Sequence, residues 1–335
     1  MRNANRRIVL RARPEGIAGP EHFAEEAEAV RAPGPGEVLL ETLWVSVDPA
    51  MRVWISENPG YVQRIEPGET MRASGIARVL ESRVDGLAAG DLVHARTGWQ
   101  SHPTLAGEAV EKLPADIGSP TDWLGVLGMT GLTAFFGMRA VGLARPGETV
   151  LVSGAAGGVG QIAGQVARIE ACRVVGIAGG AEKCAWLRDE LGYHAAIDYK
   201  AEPDLAAAIA RECPGGLDVF YDNVGGAMLD AALGQLRLRA RVVICGRISQ
   251  TAAGELYGVR NMGLLIGKRA RVEGFVVTDF QHRFAEGRAW LAARMRDGSL
   301  RHRVHEITGL ERAPEGLGML FRGGNTGKLV VRVGS

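Results

Sequence analysis

Hydrophobic and polar positions follow two different patterns along the chain. Up to about residue 125, short apolar runs alternate with polar residues and are cut by Gly/Pro punctuation at Ala32-Pro33-Gly34-Pro35-Gly36 and Glu66-Pro67-Gly68-Glu69. The alternation predicts strands over 37–47, 74–82, 91–95 and 109–113, an all-β, barrel-like unit. From about residue 126, strand and helix patterns alternate. Strands are predicted at 149–153, 173–177, 195–199, 217–222, 240–245 and 271–277, with helical spacing between them, as over 183–191 and 204–211. Strands alternating with helices in this way predict an α/β fold with a doubly wound parallel sheet. A long helical stretch over 280–296 follows, then a strand, a helix near 313–321 and a last strand over 328–333. This tail is expected to rejoin the first unit. The expected domains are residues 1–125 completed by 302–335, and residues 126–301.

The densest signal lies in 148–179, ETVLVSGAAGGVGQIAGQVARIEACRVVGIAG. An apolar strand enters a turn with Gly154, Gly157, Gly158 and Gly160. Val159, Ile162, Ala163, Val166 and Ala167 then recur at helical spacing, and a second apolar run completes a β-turn-α-β unit. Glycine lets the turn bend sharply and lets backbone approach a ligand, while the free N–H groups and dipole of the helix face an anion. In that setting the glycines read as a dinucleotide site. A carboxylate at the end of the second strand would bind the ribose hydroxyls of NAD(H) and repel a 2′-phosphate. The chain instead has Ala178-Gly179-Gly180, then Ala181-Glu182-Lys183. Small residues leave room, and Lys183 offers a cation, which points to NADP(H).

Composition narrows the class. With 335 residues the chain is long enough for two domains, and 39 Lys plus Arg against 38 Asp plus Glu give no net field that would attract nucleic acid or an anionic membrane. No apolar run approaches the roughly 20 residues of a membrane span, and the basic N-terminus lacks the apolar core of a signal peptide. A cytoplasmic enzyme is expected. Cys172, Cys184, Cys213 and Cys245 form no CxxC pair; Cys172 and Cys245 are predicted to lie within strands as reduced core residues. His302 and His305 read as surface residues. No metal site is expected.

The chain resembles the zinc-free branch of the medium-chain dehydrogenase/reductases, specifically the prostaglandin reductase and 2-alkenal (double-bond) reductase family, over nearly its whole length. The resemblance is carried by Ser46-Val47-Asp48-Pro49, Gly68-Glu69-Thr70-Met71-Arg72, Thr97-Gly98-Trp99-Gln100 and Leu127-Gly128-Met129-Thr130-Gly131-Leu132-Thr133-Ala134. Further matches are Asp198-Tyr199-Lys200, Tyr221-Asp222-Asn223-Val224-Gly225-Gly226, Cys245-Gly246-Arg247-Ile248-Ser249-Gln250, Glu273-Gly274-Phe275-Val276-Val277 and Gly324-Asn325-Thr326-Gly327-Lys328. It implies a Rossmann sheet beside a GroES-like β-barrel domain, and a homodimer formed through the sheet edge near 271–277.

The resemblance also implies site residues. Gly157 and Gly158, with Gly160, would lie at the pyrophosphate, and Lys183 and Tyr199 at the 2′-phosphate. Asn223 would reach the cofactor. Cys245, Ser249 and Gln250 would line the nicotinamide side. Phe275 and Val277 would offer backbone contacts near the carboxamide, and Asn325 would close from the tail. Three departures stand out. Ala50 and Thr130 replace a common Tyr and Pro, and Thr251 stands where the family usually has the tyrosine that touches the substrate carbonyl. Thr251, Tyr257 and Tyr61 are the hydroxyls left to take that place, with Thr251 and Tyr257 the candidate catalytic residues. The chemistry implied is NADPH-dependent reduction of the carbon–carbon double bond of a small enal or enone. A quinone reductase of the same superfamily and a non-catalytic NADPH-binding redox sensor are the alternatives.

Overall fold

The computed structural model describes residues 4–60, 62–114, 118–252 and 256–334. The chain divides into two compact units, one of residues 1–124, 304–325 and 329–335 and the other of residues 125–303 and 326–328.

In the second unit, six strands among the described residues form one sheet: Thr149–Ser153 (β1), Arg173–Ala178 (β2), Ala195–Asp198 (β3), Leu217–Asp222 (β4), Leu236–Ile244 (β5) and Arg271–Gly274 (β6). Their order is 3-2-1-4-5-6, with every neighbouring pair parallel. Parallel strands buried on both faces should be apolar at consecutive positions, and Val150 to Val152 and Val219 to Tyr221 are all fully buried. Helices Gly160–Ile169 (α1), Ala181–Asp189 (α2), Leu205–Glu212 (α3) and Gly226–Leu233 (α4) join successive strands. Asp204 caps α3, its carboxylate accepting from the Ala207 N–H at 3.0 Å. The strand order reverses between β1 and β4, where a doubly wound sheet opens its ligand crevice.

α1 departs from an amphipathic helix, because every residue from Gly160 to Ala167 is buried. Gln161 and Gln165, one turn apart, bond the extended segment 301–303 as a neighbouring strand would. The Gln161 amide donates to the Arg303 carbonyl and accepts from the Arg303 N–H at 2.8 Å. Gln165 does the same with Arg301, at 2.7 and 2.9 Å. Two buried amides are thereby fully partnered.

Some expected boundaries move. β6 ends at Gly274, three residues short of the predicted 277, and Val277–Arg283 turns into a 3-10 helix. Phe275 leaves the sheet to pack its ring edge-on to Phe280, 6.4 Å between centroids. The long helix begins at Phe284 and runs to Arg296. Cys172 and Cys245 lie one residue outside β2 and β5, not within them.

In the first unit, the seven-stranded sheet has the order Val304–Thr308, Lys328–Arg332, Glu37–Ser46, Gly75–Ser82, Leu92–Ala95 and Val110–Lys112, with Thr104–Ala106 paired onto Glu37–Ser46. A separate hairpin pairs Ala4–Leu10 with Phe23–Ala29. Alternation does not reveal its second strand, FAEEAEA, whose residues after Phe23 are polar or small and largely exposed. One core is built from Val38, Leu40, Ala77, Val79, Val93 and Ala95. Another gathers Met51, Ile65, Met71, Trp99, Leu317 and Val331. Trp99 is fully buried and its indole N–H donates to the Ser46 carbonyl at 3.1 Å.

One ion pair fastens the amino-terminal side of the parallel sheet. Arg241 of β5 donates to both oxygens of Glu148 at 2.8 and 2.5 Å, and two more of its N–H groups go to the carbonyls of Gly142 and Leu143. Burial pushes the Glu148 carboxyl upward, but the bonds from Arg241 and the Arg145 N–H outweigh it and hold it below the ordinary range. A depressed carboxylate stabilises the fold above its unfolded pKa, and that contribution is lost as pH falls through the folded value. Glu148→Gln should therefore cost about 1–2 kcal/mol in urea unfolding at neutral pH. The gap from the parent protein should close as pH drops below about 4.

Candidate functional site

The turn from β1 into α1 is shaped by two glycines. Gly154 has φ +58°, a left-handed conformation that favours glycine. Gly160 opens α1 so close to the preceding strand that a Cβ there would stand 2.3 Å from the Gly154 carbonyl oxygen. Between them, the Gly157 N–H closes the turn onto the Gly154 carbonyl at 3.0 Å. Gly158 faces Thr130, whose methyl would lie 3.1 Å from any Cβ added there, and the stem of Lys328. Backbone is thus exposed where side chains would otherwise fill the turn. Such a cradle, at the head of a ten-residue helix, fits the pyrophosphate of a dinucleotide.

Next to it, the ends of β1 and β4 are tied through Asp222, which is fully buried. Its carboxylate accepts from the Ser153 hydroxyl at 2.7 Å and from the N–H groups of Val224 and Gly225 at 3.0 Å each. Burial raises the Asp222 pKa, and these three donors oppose the rise. The Asn223 N–H donates to the Ser153 hydroxyl oxygen at 2.8 Å, and its side-chain amide donates to the Ser153 carbonyl at 2.7 Å. The Asp222 carbonyl accepts from the N–H groups of Cys245 and Gly246, which adds the end of β5.

Cys245 sits against the hydroxyl of Tyr221, which donates to the Thr133 carbonyl at 2.9 Å. Burial pushes the Cys245 thiol up to about 12, so it stays protonated. Phe275, at the end of β6, and Tyr221 both lie within 2.6 Å of where a Gly137 Cβ would be. Val277 follows as the first residue of the 3-10 helix.

Ser249, Gln250 and Thr251 form the short helix Ile248–Thr251 over the start of α4. The Ser249 hydroxyl donates to the Val224 carbonyl at 2.7 Å, and the Gln250 amide donates to Ser249 at 3.0 Å. The Thr251 hydroxyl donates to the Arg247 carbonyl at 3.1 Å. Tyr257 joins this helix through its backbone while its hydroxyl turns to α4. Its N–H donates to the Gln250 side chain at 2.7 Å and its hydroxyl to the Asp230 carboxylate at 3.0 Å. The hydrogen bond to Asp230 raises the phenol's pKa. Asp230 also accepts from the N–H groups of Arg260 and Asn261, so Tyr257 is one strut of a clasp holding this loop to α4. Tyr61 lies outside the described residues.

On the other side of β1, Lys183 lies half-buried in the first turn of α2. Burial lowers its pKa, and the charge of Lys200 adds to that. Tyr199 follows β3 and is 42% exposed. Asn325 is buried in the first unit. The ends of β1, β4, β5 and β6 thus gather Gly157, Gly158, Gly160, Asn223, Cys245, Ser249, Gln250 and Phe275, while β2 and β3 carry Lys183 and Tyr199. The anchoring roles of Asp222 and Ser153 were not foreseen, although Asp222 stands in the Tyr221-Asp222-Asn223 motif.

Among the described residues no group of three His, Cys, Asp or Glu side chains is placed to hold a metal ion. Nor is any helix long and apolar enough to cross a membrane.

The fold and the cradle define a two-unit dinucleotide-binding oxidoreductase, and comparison with known proteins agrees. Residues 6–113 match a family model described as the N-terminal domain of oxidoreductase, and residues 158–293 one described as zinc-binding dehydrogenase. The NADPH-dependent curcumin reductase of Escherichia coli is 39% identical, the match covering 98% of this chain and 97% of the relative. A tobacco (Nicotiana tabacum) 2-alkenal reductase (NADP(+)-dependent) is also 39% identical, covering 90% and 88%. The crystal structure of CurA in complex with NADPH from Vibrio vulnificus superposes with a TM-score of 0.94 at 37% identity, covering 98% of this chain and 99% of that one. The chain belongs to the zinc-free branch of the medium-chain dehydrogenase/reductases, in the family of the prostaglandin and 2-alkenal reductases. Its cofactor is NADP(H).

Proposed function

We propose that the chain is an NADPH-dependent reductase of the carbon–carbon double bond of α,β-unsaturated aldehydes and ketones. Kinship over nearly the whole chain with an NADPH-dependent curcumin reductase and an NADP-dependent 2-alkenal reductase carries this reading. The glycine cradle at the end of β1 is what such an enzyme needs from its fold.

Bound NADPH supplies the hydride. The chain supplies binding, orientation and exclusion of water. In this reading Gly157, Gly158 and Gly160 bring backbone up to the pyrophosphate, and Lys183 and Tyr199 take the 2′-phosphate. Asn223, already oriented by Ser153, reaches the cofactor. Cys245, Ser249 and Gln250 line the nicotinamide side, and Phe275 and Val277 offer backbone groups to the carboxamide. The electrophilic β-carbon of the substrate accepts the hydride. Negative charge then grows on the carbonyl oxygen, which needs a hydrogen-bond donor until water or a weak acid protonates the α-carbon. Thr251 and Tyr257 are the candidate donors. Each hydroxyl already donates, to Arg247 and Asp230 respectively, so either must exchange that partner for the substrate oxygen. We place the enzyme in the cytoplasm.

We also propose a homodimer built on the edge strand β6. Beside that edge, Leu238, Leu264 and Ile266 are exposed, Ile266 to 83%. A second copy covering them would remove both an apolar patch and an open sheet edge.

Three measurements test these readings. NADPH consumption against a panel of enals, enones and quinones, with product identification, should give saturated aldehydes and ketones from the enals and enones; turnover of quinones alone would assign the other branch of the superfamily. Tyr257→Phe keeps the ring and removes the donor. Its kcat should fall on the order of tenfold with NADPH affinity unchanged, whereas an unaltered kcat would leave Tyr257 as a loop clasp only. Light scattering at micromolar concentration should give twice the chain mass, reduced to one chain mass by Ile266→Glu; a monomeric parent protein would exclude the dimer.

A further inference from the structure

We propose that Lys200 is a second cation for the 2′-phosphate of NADP(H), a residue that determines preference for the phosphorylated dinucleotide; this rests on reading the turn after β2 as the adenosine end of the site.

Three observations converge on that turn. A Cβ added to Gly179 would stand 2.9 Å from Lys200 Cε and 2.8 Å from the Tyr199 ring. The Lys200 stem and the Tyr199 ring therefore lie on the backbone that leads into α2 and Lys183. Asp198, the last residue of β3, then fixes the two turns to each other. One of its carboxylate oxygens accepts from the Gly180 N–H at 2.8 Å and from the Lys200 N–H at 3.0 Å. The Tyr199 N–H adds a bond to the Ala178 carbonyl at 3.1 Å. The chain after β3 is thereby fastened across the end of β2, and Lys200 is carried with it.

The third observation is electrostatic. Burial lowers the Lys183 pKa, and Lys200 stands close enough that its charge lowers it further, with Glu182 in partial opposition. Two ammonium groups converging on a small-residue turn repel each other, and a dianionic phosphate between them reverses the sign of that interaction. In NAD-preferring sheets a carboxylate at the end of the second strand faces the ribose. Here the end of β2 carries Ala178-Gly179-Gly180 instead, and the Asp198 carboxylate one strand over has one oxygen engaged by two backbone N–H groups. The turn thus offers cations where a discriminating acid would otherwise stand.

Isothermal titration of the protein with NADPH, NADH, 2′,5′-ADP and 5′-AMP tests the assignment. Lys200→Ala should raise the Kd for NADPH and 2′,5′-ADP about fivefold to tenfold and leave NADH and 5′-AMP unchanged. Lys200→Arg should recover most of the loss. The salt dependence of 2′,5′-ADP binding should become shallower in the alanine variant, because one screened attraction is gone. If Lys200→Ala binds 2′,5′-ADP like the parent protein while Lys183→Ala does not, the role of Lys200 is overturned and the adenosine-end reading stands. If neither substitution weakens 2′,5′-ADP, that reading fails as well. An equal loss for 5′-AMP, or a lowered Tm, would make Lys200 structural and overturn the proposal.

Discussion

The carboxylate of Asp222 holds the carboxyl ends of the central strands together. It is fully buried, and a buried carboxylate without donors is costly enough to be avoided in folded proteins. Here the cost is offset by the Ser153 hydroxyl and two backbone N–H groups, all drawn from the ends of β1 and β4. The same residue's carbonyl collects the N–H groups of Cys245 and Gly246 from beyond β5. One residue therefore sets the relative heights of three strand ends and the turns that leave them. Asn223, Gly225 and Cys245 take their positions from this tie.

Much of the architecture was legible because the parallel sheet writes itself as apolar runs at regular intervals. The β1-turn-α1-β2 unit was readable from glycine spacing set between two apolar runs and a helical repeat, and Gly154 and Gly160 prove to be positions where conformation and space demand glycine. The hairpin of Ala4–Leu10 with Phe23–Ala29 was not readable, because its second strand carries polar and small residues after Phe23 and so lacks the alternation that marks a half-buried strand. The end of β6 was misjudged for a different reason. An apolar Phe275-Val276-Val277 run suits a strand and an aromatic cluster equally, and packing against Phe280 decided the matter.

Legibility of the site divides along a similar line. Residues whose side chains have a chemical label, such as Lys183, could be nominated from charge and position. Residues whose part is to satisfy backbone groups could not. Gln161 and Gln165 look like the polar face of a surface helix, yet each is a buried surrogate for a strand's hydrogen bonds to 301–303. Tyr257 shows the converse. Its phenol invites a catalytic reading, and only the structure reveals that Asp230 already engages its hydroxyl.

The strand ends also differ in electrostatic character, and that difference suits the proposed orientation of the dinucleotide. At the ends of β4 and β5, desolvation raises Asp222, Tyr221 and Cys245 together, which disfavours charge where the nicotinamide is proposed to lie. At the ends of β2 and β3, Lys183 and Lys200 concentrate positive charge. In the proposed orientation the anionic adenosine end lies toward the lysines, and the neutral nicotinamide ring of the reduced cofactor lies toward the desolvated groups. Such an environment strengthens each hydrogen bond to an oxygen that gains charge, since competing water is absent. In the proposed reaction the cofactor supplies the hydride, and the chain contributes placement and a well-aimed donor to the oxygen that gains charge. That is why the exchange of the family's tyrosine for Thr251 bears on this chain's chemistry more directly than any change in the cradle: a shorter hydroxyl, already donating to Arg247, leaves less reach toward a substrate oxygen.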